Sequence, residues 1–95
     1  MKLKNTPALE SSRVRGDVKK LVAQIARMDA KKVKESASIR DDLGIDSLAA
    51  MEILASIEKR LGILIDEARA FDVVTVKDLI DLVIQYLKKK RRPLN

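Results

Sequence analysis

A chain of 95 residues has room for one domain and one core, and a domain of this size leaves little space for a deep enclosed active site. It contains no cysteine and no histidine, which removes disulfides, a thiolate nucleophile and the commonest general base and metal ligand, and so argues against an enzyme or a metalloprotein. The net charge of +6 suggests an anionic partner until its distribution is read: residues 1 to 40 hold 11 basic and 4 acidic side chains, residues 41 to 87 hold 4 and 10, and residues 88 to 95 hold 5 and none.

In chain order, "MKLKNTPALE" has no apolar segment of the signal-peptide kind, and no run of about 18 apolar residues follows anywhere. The expectation is a soluble, cytoplasmic-type protein. Val14, Val18, Leu21, Val22, Ile25 and Met28 recur at helical spacing and predict an amphipathic first helix over about 13 to 28. Residues 29 to 45 carry scattered apolar side chains, Val33, Ala37, Ile39, Leu43 and Ile45, and read as a long, partly pinned loop. Loops of that length in a compact domain are often functional.

The second helix is expected from about 46 to 61, with Asp46 as its N-cap, Ser47 in its first turn and Gly62 as its stop. At about 100° per residue, Ala50, Ile53, Leu54, Ile57 and Leu61 share its core face. Leu48, Met51 and Ala55 form a second apolar strip roughly opposite, bordered by Glu52, Glu58 and Lys59. That strip is either a partner-docking surface or a few apolar side chains lying on the surface or under the long loop. Ser47 is either an ordinary helix-start serine or a site for a phosphate-linked group, which unpaired amides and the positive dipole end of a helix would favour.

"ILID" at 63 to 66 reads as an extended connector and 67 to 71 as a short helix. "TVKD" then opens the last helix, with Thr75 and Asp78 in a capping-box variant and Val76, Leu79, Ile80, Val83 and Leu87 as its core stripe. No strand is predicted. The fold class is all-α, a small bundle of three main helices and one minor one with a long loop between helices 1 and 2. It divides into an N-terminal extension (1 to 12), the bundle (13 to 87) and a basic tail (88 to 95), whose "KKKRR" reads as a solvated helix end.

"DDLGIDSLAAMEILASIEKRLGILID" and "TVKDLIDLV" resemble the acyl carrier proteins over residues 13 to 87. "LGIDSL" matches that family's LGxDSL signature, and no gap is needed between Ser47 and Thr75. The resemblance implies the acyl-carrier type of bundle and a 4′-phosphopantetheine arm attached to Ser47 by a phosphopantetheinyl transferase. Asp46 would help that transferase place its metal and the phosphate. The reactive thiol would lie at the end of the arm, so the chain needs no cysteine, and tethering would raise the effective concentration of the acyl thioester at each docked enzyme. Catalysis would belong to partners, namely acyl-loading, synthase and acyltransferase enzymes of fatty acid, lipid or polyketide-type biosynthesis.

By the same resemblance, Leu48, Met51, Glu52, Ala55 and Glu58 would form the docking surface, met by basic patches on the partners. Ile39, Ile57, Leu61, Ile65, Ala70 and Val73 would line an acyl pocket, though each reads equally well as ordinary core. The implied state is a monomer with no metal of its own. Ala49, Lys59, Arg60 and Asp66 depart from the family pattern, as does the basic overall charge, and point to a specialised carrier as readily as a housekeeping one. The alternatives are an aminoacyl or peptidyl carrier, an interaction module that is never loaded, and a basic helical nucleic-acid-binding module resting on "KKKRR" with Lys19, Lys20, Lys31, Lys32 and Lys34. Only Phe71 and Tyr86 are aromatic, which argues against a base-stacking platform and hence against nucleic acid as partner.

Overall fold

The computed structural model describes residues 7 to 91, with side chains described for 11 to 90. Four α-helices follow one another, α1 (Pro7–Ala26), α2 (Ser47–Leu61), α3 (Glu67–Ala70) and α4 (Val76–Arg91), with a 3-10 turn at Ala30–Lys32. Helix α1 packs against both α2 and α4. Their apolar stripes meet in one cluster: Val14, Val18 and Val22 from α1, Ile53, Leu54 and Ile57 from α2, and Val76, Leu79, Ile80 and Val83 from α4. Among the described residues there is no strand, only an isolated antiparallel bridge between Ser38 and Thr75. The all-α bundle expected from the sequence is the fold.

Helix α1 differs from the expected span at both ends. It starts at Pro7, because proline suits a first helical position and the alanine, leucine and glutamate that follow are good helix formers. Apolar periodicity registers only the turns that reach the core. It ends at Ala26 because Arg27 turns left-handed (φ 59°), and the Met28 N–H donates to the Ala23 carbonyl (3.0 Å). Met28 therefore packs against the core as the apolar residue just past a helix end, a position that mimics helical spacing.

The long loop is pinned along much of its length. Val33 and Ile45 are buried, and the loop backbone is bonded to the start of α4. Ile39 N–H donates to Val74, Val76 N–H to Ala37 and Lys77 N–H to Glu35. The Glu35 carboxylate receives Arg15 and Lys19 from α1. The hydrogen bond from Lys19 and the nearby positive charges hold its pKa below 4.5, although partial burial pushes the other way.

Helix α4 opens as the sequence predicts. Asp78 N–H donates to Thr75 Oγ1, while Asp78 Oδ2 accepts from the N–H groups of Thr75 and Val74, all at 3.0 to 3.1 Å. These bonds, that from Thr75 first, lower the Asp78 pKa from 3.8. The helix runs on to Arg91, so the basic run begins as helix. Lys88, Lys89 and Lys90 are exposed, but Lys90 Nζ also donates to the Leu61 carbonyl at the end of α2 (3.2 Å). Residues 92 to 95 of the tail and 1 to 6 of the extension lie outside the described residues.

Candidate functional site

The site is built where the loop meets α2. The loop closes on itself between 38 and 45: Leu43 N–H donates to Ser38, Gly44 N–H to Arg40 and Ile45 N–H to Ile39. Gly44 is left-handed (φ 66°), a conformation that costs glycine no Cβ clash. The chain then drops Ile45 into the core and leaves Asp46 and Ser47 at the surface. Asp46 is extended and its Oδ1 accepts from the Ala49 N–H (2.8 Å), the N-cap the sequence predicts. Ser47 is the first residue of α2 and is exposed, so its hydroxyl is open to solvent at the positive end of the helix dipole.

Arg40 Nη2 donates to Ser47 Oγ at 3.0 Å. Arg40, Gly44, Ile45, Asp46 and Ser47 line an open depression of about 370 Å³. Sequence reasoning missed Arg40, which lies seven residues upstream in the loop, and only loop closure brings it to the serine. A signal was present in its being the only Lys or Arg between Lys34 and Lys59.

Leu48 and Met51 stand out from α2, 75% and 44% exposed, with Glu52 and Ala55 exposed beside them. They do not lie under the long loop. Glu58 is different: it is half-buried and its Oε2 accepts from the Ile65 N–H (2.8 Å), so its carboxylate is engaged within the fold. Leu64, Phe71 and Val74 are also exposed, on the segments flanking α3, where helical periodicity gives no warning.

Of the proposed pocket residues, Ile57 and Ile65 are buried in the core cluster, and Ile39, Leu61, Ala70 and Val73 are half-buried against it. Three of the four departing residues, Ala49, Arg60 and Asp66, have structural explanations. Ala49 packs against the core, Arg60 pairs with Asp17 of α1 (3.7 Å), and Asp66 caps α3 by accepting from the Ala68 N–H (3.0 Å). Among the described residues, no helix is long and apolar enough to cross a membrane.

An exposed serine hydroxyl at a helix start, held by a guanidinium and free of steric cover, suits the covalent attachment of a phosphate-linked group. The family model described as "phosphopantetheine attachment site" matches residues 16 to 83. An acyl carrier protein of Desulforapulum autotrophicum is 40% identical over 78 residues, spanning 81% of this chain and 96% of that protein. Acyl carrier proteins of Sinorhizobium fredii and Rhizobium meliloti are each 39% identical over 66 residues, 70% of this chain and 85% of theirs. The chain belongs to the acyl carrier proteins, the family whose cofactor is covalently bound 4′-phosphopantetheine.

Proposed function

We propose that Ser47 is the residue that carries the arm and that residues 13 to 87 act as a carrier domain for acyl intermediates. The observation that bears most weight is the open Ser47 hydroxyl on the first turn of α2, within the "LGIDSL" motif. When bound, the arm supplies a terminal thiol on which acyl groups ride as thioesters. The chain itself does three things.

Ser47 Oγ attacks the pantetheine-side phosphorus of coenzyme A on the transferase and gives up its proton; the pyrophosphate bond breaks, adenosine 3′,5′-bisphosphate leaves, and the serine oxygen becomes the bridging oxygen of a phosphodiester. Asp46 keeps the first turn of α2 closed and leaves its outer carboxylate oxygen facing the loading enzyme. Leu48 and Met51, with Glu52 and Ala55 beside them, offer an apolar strip with an acidic edge to partners bearing basic patches. Glu58 supports that edge from within, through its bond to Ile65.

The partners we assign are a phosphopantetheinyl transferase and then acyl-loading, synthase and acyltransferase enzymes of fatty acid, lipid or polyketide-type biosynthesis, with catalysis left to them. Ile39, Ile57, Leu61, Ile65, Ala70 and Val73 are the side chains an acyl chain entering the bundle would displace. The basic overall charge suits a specialised pathway as readily as a housekeeping one.

The test is intact mass before and after incubation with a broad-specificity phosphopantetheinyl transferase, coenzyme A and magnesium. Wild type should gain one phosphopantetheine and Ser47→Ala none. A folded, initially unmodified wild type that gains nothing with several transferases would overturn the reading.

A further inference from the structure

We infer that Arg40 is a clamp for the phosphodiester at the root of the arm, holding it against the start of α2; this rests on Ser47 being the attachment residue. The guanidinium already donates to the oxygen that would enter the diester, at 3.0 Å. Three backbone bonds fix its place: Ile39 N–H to Val74 and Ile45 N–H to Ile39 hold the residue before it, and Gly44 N–H donates to the carbonyl of Arg40 itself. Arg40 is thus delivered to Ser47 by the closure of the loop.

Its charge is unmatched where it stands. Among the described residues Arg40 is in no ion pair, the four pairs present belonging to Arg15, Lys19, Arg60 and Lys77. Two of the three nearby carboxylates have other work, Asp42 accepting from the Ser38 N–H and Asp46 from the Ala49 N–H, and Asp41 forms no ion pair with Arg40 among the described residues. The bare hydroxyl is a neutral acceptor for a full positive charge. Attachment of a phosphodiester replaces its hydrogen with a phosphorus bearing one negative charge, within reach of the same guanidinium. A planar fork of donors suits two anionic oxygens better than one hydroxyl.

The setting makes the clamp useful. Asp41, Asp42 and Asp46 precede Ser47 within six residues, and Arg40 is the only cation between Lys34 and Lys59. A phosphodiester added there without Arg40 would join an acidic patch with only the helix dipole to offset repulsion. With Arg40 the root of the arm is neutralised, while the acidic edge along α2 stays available to partners.

The experiment uses the full chain as wild type, Arg40→Gln and Arg40→Lys, each prepared with and without the arm and verified by mass. The readouts are the ³¹P chemical shift of the phosphodiester as salt is raised and the change in Tm on attachment. Comparing each variant with its own unmodified form cancels any effect of the substitution on the bare fold. Attachment should raise the Tm of wild type by roughly 2 to 6 °C relative to its effect on Arg40→Gln.

The wild-type ³¹P resonance should differ from that of Arg40→Gln at low salt and converge on it as salt screens the pair. Arg40→Lys should fall between, keeping the charge without the fork. Equal shifts and equal Tm changes in wild type and Arg40→Gln, both carrying the arm, would overturn the clamp and leave Ser47 attachment standing. Failure of wild type to accept the arm at all would overturn both.

Discussion

Leu48 and Leu54 are the same side chain on the same helix, yet one is 75% exposed and the other 6%. Glu52 and Glu58 repeat the contrast in charged form, since Glu52 faces solvent and Glu58 is half-buried and bonded to Ile65. One side of α2 is spent on holding the bundle together. The other begins one residue after Ser47 and makes no demand on the fold. Composition alone does not separate the two sides, because both are apolar with acidic neighbours; what separates them is whether they face α1 and the shared core cluster.

The strongest way to break that comparison is to truncate both leucines. Leu54→Ala should destabilise by about 2 to 5 kcal/mol, the cost of lost burial and a residual cavity, whereas Leu48→Ala should stay within about 0.5 kcal/mol. Urea unfolding of the two variants gives both numbers, and equal costs would mean the two sides are not functionally distinct.

Next in size is the effect of charge on the outer strip. Leu48→Asp should leave the unfolding midpoint nearly unchanged while lowering the kcat/KM of the transferase on this carrier by about tenfold, as expected for loss of an apolar anchor worth roughly 1 to 2 kcal/mol. A large stability loss with unaltered kinetics would assign Leu48 to the core instead.

The two glutamates sharpen the comparison at a finer scale. Glu58→Ala should cost about 1 kcal/mol, because it leaves the Ile65 N–H without its partner, and Glu52→Ala should cost close to nothing. Thermal unfolding of the pair measured side by side reads the difference directly.

The smallest effect is in the pH dependence. Asp78 and Glu35 both have folded-state pKa values below their ordinary ones, so the stability they contribute is fully present above the unfolded values near 3.8 and 4.5. It is lost as pH falls through the lower folded values. Asp78→Asn should flatten that acid limb by less than about 1 kcal/mol, since solvent screens an exposed cap. Stability measured from pH 6 down to 2 would test the sign; a steeper limb in the variant would refute it.

Much of this could be read before folding was considered. Asp46, Ser47, Gly62 and the Thr75–Asp78 box are consequences of helix ends, whose unpaired amides and carbonyls need partners within a few residues, so local residue types suffice to find them. The core faces of α2 and α4 follow from spacing. The ends of α1 do not, because periodicity measures contact with the core and not helical backbone. From its spacing Glu58 reads as part of an outward acidic edge, since nothing in that spacing reveals the Ile65 amide that engages its carboxylate.

The chain's own order of residues determined where α2 begins and stops and where α4 begins, which serine stands on the first turn of α2, and that two apolar strips share that helix. These depend on interactions within about one helical turn. Only the tertiary structure decided which strip is covered, that Arg40 reaches Ser47, and that Lys90 meets the end of α2. Those contacts join residues 7 to 29 positions apart through loop closure and helix packing, and such distances leave no periodic trace in a sequence.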